Sequence, residues 1–186
     1  MTTETKVHCV NGIDLNVLEG TVEAIRNDRE LGRCKFRARN KWRGGTQNHT
    51  TIAEFRAAKQ ENAHKHDFEM DADEPPMLAG EDEGANPVEH LLNALAGCAT
   101  TSMVAHAAVR GIHIEELESE LEGDLDLNGF LGLDPNVPKG YTNIRVRFKV
   151  KTDEANLRKL KSLAQLSPVY NTLTNGVKVD IQVEPK

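Results

Sequence analysis

Asn86-Pro87-Val88-Glu89-His90-Leu91-Leu92-Asn93-Ala94-Leu95-Ala96-Gly97-Cys98-Ala99-Thr100-Thr101-Ser102-Met103 is the stretch on which the fold turns. Asn86 can accept hydrogen bonds from the first free backbone N–H groups of a helix, and Pro87 suits its first turn because the missing N–H costs nothing there. Leu91, Leu92, Leu95, Cys98, Ala99, Met103 and Val104 recur at helical spacing, and Gly111 supplies a stop. Ala94, Ala96, Gly97 and Ala99 keep the middle small on nearly every side. That pattern predicts a central, buried helix with neighbours packed closely on more than one face. Cys98, in its midst, is either a small apolar packing residue or a nucleophilic thiol.

Downstream of this helix, Ile114 to Leu127 alternates as a half-exposed strand, and Asn128 to Gly140 is a Gly/Pro-rich loop. Tyr141 to Val150 alternates most clearly, with Ile144, Val146, Phe148 and Val150 inward and Arg145, Arg147 and Lys149 outward. Asp153 to Gln165 reads as a second helix, Ser167 to Leu173 as a turn, and Val177 to Val183 as a last strand. Upstream, residues 12 to 30 form an indifferent amphipathic helix interrupted by Gly20. Cys34 to Trp42 alternates apolar and cationic residues, Arg43-Gly44-Gly45 turns, and Thr46 to Phe55 returns as the second strand of a hairpin with one basic face. His64 to Met70 is a third short strand, followed by an acidic Pro/Gly-rich loop from Asp71 to Ala85. The order predicts an α+β fold with antiparallel sheet against one or two helices.

The 186 residues suffice for one domain with a real core. A formal charge of −6 argues against a nucleic-acid or anionic-membrane partner. No run of apolar residues reads as a membrane span, and Met1 to Lys6 lacks a basic-then-apolar signal pattern, so a cytoplasmic address is expected. Three cysteines, Cys9, Cys34 and Cys98, stand at no recurring spacing, which fits reduced thiols better than a disulfide framework. His64 and His66 share a strand face but lack a third ligand at metal-binding spacing, so neither metal nor cofactor is expected.

With these elements in order, the chain resembles the OsmC/Ohr family of osmotically inducible and organic-hydroperoxide-resistance proteins. The matching pieces are the Trp42-Arg43-Gly44-Gly45 hairpin, the Asn86-Pro87 helix bearing Cys98, Ala107-Ala108-Val109-Arg110-Gly111-Ile112, the strand pair, and Ser167-Pro168-Val169 before the last strand. The resemblance runs from about residue 34 to 183, making residues 34–186 an OsmC-like domain and residues 1–33 an N-terminal extension. It implies an intertwined homodimer, in which antiparallel sheets from both chains wrap two central helices. It also implies hydroperoxide reduction by a cysteine on the central helix, a second cysteine that resolves the sulfenic acid, and an arginine and a glutamate that activate the first thiolate.

Carried onto this chain, the peroxidatic position is Cys98. The resolving position is Ser167, which cannot form a disulfide, and the activating glutamate's position is Val88. Glu89 is adjacent, but one helical residue turns a side chain by roughly 100°. Arg43 is the best remaining cation. Ser102, four residues beyond Cys98, shares its helix face, and His90 and His106 lie eight residues to either side, so the pocket is expected to draw on Glu89, Ser102, His106 and Ser167. One functional expectation is thiol-dependent detoxification of hydroperoxides or related electrophiles through Cys98, with an external thiol as reductant. The alternative is a non-catalytic homologue that binds a small apolar ligand after losing peroxidase activity. A third is unrelated chemistry in the same pocket.

Overall fold

The computed structural model describes residues 8–186, so Met1 to Lys6, on which the signal-pattern expectation falls, and part of the expected 1–33 extension lie outside the described residues. The first elements among the described residues are the two-residue strands β1 (Cys9–Val10) and β2 (Ile13–Asp14), and the chain divides into two compact units. The first comprises residues up to Cys9 and Asp14–Leu91, and the second Val10–Ile13 and Leu92–Lys186.

In the first unit, helix α1 (Leu15–Asn27) starts where the Asp14 carboxylate accepts hydrogen bonds from the N–H groups of Asn16 and Val17. It runs through Gly20 without a break, contrary to the sequence expectation, because one interior glycine weakens a helix by only about 1 kcal/mol. The expected Cys34–Trp42 strand is split into β3 (Lys35–Phe36) and β4 (Arg39–Gly44), which lie end to end along one edge of β5 (Gln47–Ala57). The turn out of β4 passes through Gly44 and Gly45 at φ of 128° and 52°, backbone conformations that favour glycine. β6 (Gln60–Ala72) covers the other edge of β5 and is longer than the His64–Met70 segment expected. These three pairings with β5 are antiparallel.

Residues 73–86 form the expected loop around one buried group. Asp73, 1% exposed, accepts hydrogen bonds from the Thr46 hydroxyl and from the backbone N–H groups of Glu74, Glu81 and Glu83. The Thr46 bond foremost, with the three amides, holds its carboxyl well below the ordinary carboxylate range. Helix α2 (Pro87–Val109) follows, and the Asn86 side chain accepts the N–H of Val88 while Glu89 reaches back to the Asn86 N–H. This reciprocal cap confirms the start read from Asn86-Pro87. Gly111, at φ 65°, ends the helical turn.

The second unit takes α2 from Leu92 onward and adds β7 (Glu116–Asp124), the short helix α3 (Leu127–Phe130), β8 (Asn143–Lys151), α4 (Leu157–Ala164) and α5 (Pro168–Asn175). β7 and β8 pair antiparallel with Leu117 opposite Val150 and Leu121 opposite Val146. The core joins Ala99, Met103 and Ala107 of α2 to Ile112 and to Leu160, Leu163 and Ala164 of α4, with Ile114, Leu117, Phe148 and Val150 packed against it. Asn11 ties its own segment to this unit, donating to the Ile112 carbonyl and accepting from the Ile114 N–H.

Several expectations fail here. Ser167–Leu173 is not a turn: Ser167 caps α5, accepting the Tyr170 N–H at 3.1 Å. Val177–Val183 forms no strand; Val177, Val179, Ile181 and Val183 are 67, 72, 81 and 93% exposed. Within the chain α2 is buried along one face and not all round. Leu95, Ala99, Met103, Ala107 and Ala108 are buried, whereas Ala94 and Gly97 are exposed and a Cβ on Gly97 would meet open space. By length and composition alone α2, with a mean hydropathy of 1.2, is long and apolar enough to cross a membrane. A core helix meets the same measure.

Candidate functional site

The second unit holds an apolar groove of about 570 Å³. One wall is the α2 face of Leu95, Ala99 and Met103, four residues apart and therefore stacked on one side of the helix. The inward residues of β8, Ile144, Val146, Phe148 and Val150, form the second wall, and Leu157, Leu160 and Ala164 of α4 the third. Lys161, Gln165 and Tyr170 bring the polar groups of the lining, and Lys161 is the single charged residue among them. The strand alternation and helix spacing read from sequence are what place these side chains on facing surfaces.

Cys98 is half-buried on the same helix but does not line the groove. It precedes Ala99 by one residue and so faces roughly 100° away. Among the described residues, its thiol has no hydrogen-bond or charged partner. Ser102 and His106 are half-buried further along α2, and neither is hydrogen-bonded to Cys98. His106 instead meets Arg110 one turn on, its carbonyl accepting from the guanidinium at 2.9 Å. Ser167 is fully buried, and its hydroxyl serves the α5 cap. None of Cys98, Ser102, His106 and Ser167 lines the groove.

The other sequence candidates belong to the first unit. Arg43 is exposed in β4 just before the hairpin turn. Glu89 is occupied by the α2 cap, and Val88 is half-buried beside it. His90 lies 3.3 Å from the Asp71 carbonyl. His64 and His66 join a row of rings, with centroids 4.9 Å apart from Phe55 to His64, 5.1 Å from His64 to Phe68 and 4.8 Å from Phe68 to His66. Among the described residues, no three His, Cys, Asp or Glu side chains converge as a metal site. The basic hairpin face is exposed and partly neutralised: Arg37 pairs with Glu61 at 2.7 Å and Arg39 with Glu54 at 2.8 Å.

Sequence reasoning missed the polar rim of the groove. Lys161 and Gln165 lie four residues apart in the stretch read as a helix, a spacing that sets them on one face. Tyr170 had no such signal, because Ser167–Leu173 read as a turn and not as the start of α5.

These features define an α+β protein with antiparallel sheets, an apolar groove and a central-helix thiol. The chain belongs to the OsmC family: the model described as OsmC-like protein matches residues 80–182. The fold is shared with solved structures of low identity. An OsmC-like protein from Mycoplasma pneumoniae is 17% identical, with 76% of this chain and 89% of that chain covered and a TM-score of 0.57. An OsmC-like protein from Vibrio cholerae is 14% identical, with 74% and 92% covered and a TM-score of 0.57. An organic hydroperoxide resistance protein from Legionella pneumophila is 18% identical, with 74% and 89% covered and a TM-score of 0.51. No curated protein matches the chain in sequence.

Proposed function

We propose that this OsmC-family chain binds a small apolar molecule in the groove between α2, β8 and α4, outside the two-cysteine peroxidase cycle. The groove itself carries the reading: it is concave, apolar on three walls, edged by a few polar groups, and within the roughly 300–1,000 Å³ typical of small-molecule sites. Cys98, by contrast, stands off the groove, and among the described residues its thiol has no hydrogen-bond or charged partner, whereas a thiol becomes a good nucleophile only once ionised. All groove residues and the family match at 80–182 fall inside residues 34–186, which the proposal takes as the working domain, with 1–33 as its extension. Titration with N-phenyl-1-naphthylamine, a neutral fluorescent probe, tests the reading. Val146, partly exposed in the lining, is the position to block. Val146→Trp is expected to weaken probe binding about tenfold, from the roughly 1.4 kcal/mol per decade of affinity. Equal binding by wild type and variant would place the probe elsewhere.

A second reading is favoured by the partial exposure of Cys98 and by the hydroperoxide-resistance description of the Legionella neighbour. In it Cys98 is a one-cysteine hydroperoxide reductase. The thiolate takes the distal peroxide oxygen, the O–O bond breaks and the alcohol leaves. An external thiol then forms a mixed disulfide with the sulfenic acid and releases water, and a second external thiol restores Cys98. The activating cation would have to come from outside this unit. Single-turnover oxidation by cumene hydroperoxide with sulfenic-acid trapping checks it, and equal labelling of wild type and Cys98→Ser would exclude Cys98.

On either reading the protein acts as a cytoplasmic, cofactor-free homodimer. The exposed α2 residues Ala94 and Gly97 and the exposed Phe36, Trp42 and Phe68 support a covering chain. Sedimentation equilibrium is the direct check, and a monomer at all concentrations would remove the dimer.

A further inference from the structure

The groove has an electrical character that the apolar-ligand reading leaves unused. Its only charged lining residue is Lys161, and among the described residues the Lys161 ammonium makes no ion pair or hydrogen bond. The contrast with β8 is direct, since Lys149 and Lys151 on its outer face are engaged by Glu120 and by Glu115 and Glu116. Gln165 and Tyr170 also line the groove, and among the described residues neither the Gln165 amide nor the Tyr170 hydroxyl is hydrogen-bonded. Among the described residues, one free cation and two free neutral hydrogen-bonding groups thus edge an otherwise apolar cleft whose lining includes no carboxylate.

We infer that the groove selects a monoanionic amphiphile: an aliphatic chain lying along Leu95, Ala99, Phe148 and Leu160, with a carboxylate head at Lys161 and within the reach of Gln165 and Tyr170. This inference rests on the groove-binding reading and adds the ligand's charge to it. A single positive charge at the rim of an apolar trough complements one negative charge at the end of an apolar chain. A neutral chain forgoes the charge-assisted hydrogen bond, and a cationic one meets repulsion. No step involves Cys98 or a peroxide.

Calorimetric titration of the full chain with decanoate, decanol and decyltrimethylammonium, each below its micellar concentration, tests the inference. Decanoate is expected to bind about tenfold more tightly than decanol, the scale of one partly solvated charge-assisted hydrogen bond, and decyltrimethylammonium more weakly than either. The decanoate advantage should shrink as salt rises, because an exposed pair is screened. Lys161→Met should abolish the decanoate-over-decanol advantage, and Lys159→Met, on the same helix but outside the lining, should preserve it. Equal binding of decanoate and decanol by the wild type overturns the charge selection and leaves the groove-binding reading standing. Binding of neither overturns both. If Val179→Asp with Ile181→Asp restores binding to a wild type that binds neither, the occupant is the chain's own C-terminal segment and the amphiphile inference is wrong.

Discussion

β8 and the C-terminal segment 177–183 carry nearly the same sequence pattern and meet different fates. Ile144, Val146, Phe148 and Val150 alternate with Arg145, Arg147 and Lys149, while Val177, Val179, Ile181 and Val183 alternate with Lys178, Asp180 and Gln182. β8 is a nine-residue strand paired along its length with β7. The C-terminal segment pairs with nothing among the described residues and presents its apolar residues to solvent. Alternation prescribes which side chains share a face but does not supply a partner. For β8 the partner strand lies across the Asn128–Gly140 loop, and the core of α2 and α4 receives its inner face. Its outer face is tied by a ladder of ion pairs, Lys149 to Glu120 at 2.6 Å, Lys151 to Glu115 at 2.8 Å, and Arg145 to Glu122 and Asp124. Segment 177–183 makes no ion pair among the described residues and has a single side-chain hydrogen bond, from Gln182 to Asp180.

Amide hydrogen exchange should show the widest gap between the two. β8 amides are expected to exchange at least about a thousandfold more slowly than those of 177–183, since core strands open only with large-scale unfolding. Comparable protection in both would mean that the C-terminal segment finds a partner in solution, which is the behaviour the proposed dimer would give.

Next in size is the loss of packing beneath β8. Leu160 is 1% exposed in the core that receives Phe148 and Val150, and Leu160→Ala should cost about 3 kcal/mol in denaturant unfolding. Ile181→Ala, made where the side chain is 81% exposed, should stay within about 0.5 kcal/mol. A large effect at Ile181 would again reveal a hidden partner.

Acid should separate the two regions least. The hydrogen bond from Lys149 lowers the Glu120 pKa, and that from Arg145 lowers the Asp124 pKa. A carboxyl depressed on folding stabilises the protein above its unfolded pKa and loses that contribution as pH falls through the folded value. The thermal midpoint should therefore drop as pH falls from about 5 toward 3, below the ordinary carboxylate range. Glu120→Gln, which removes one of these depressed carboxyls, should shallow the drop slightly.

The same contrast explains what could be read in advance. The start of α2 was legible at Asn86-Pro87 and its end at Gly111, because caps are local chemistry. β7 and β8 were legible because alternation persists over a whole strand. α5 was not, since Pro168-Val169-Tyr170-Asn171 reads equally as a turn until Ser167 is seen accepting the Tyr170 N–H. Nor was the split between β3 and β4, which follows from their pairing with β5.

At the candidate site, Cys98 was found on its helix as expected, but the groove lies one residue around, on the Leu95–Ala99–Met103 face. Residue types and their periods were enough to establish the α+β class, the family resemblance, the central-helix thiol, and the absence of a cysteine at 167 and a glutamate at 88. Tertiary structure alone decided that Ser167 is spent on a helix cap and that, among the described residues, Lys161 has no partner beside an apolar trough and the alternating C-terminal segment has none either. The physical reason is range. Caps and face periodicity are settled within a few residues, whereas a partner for a charge, a thiol or a strand edge must be delivered by chain tens of residues away.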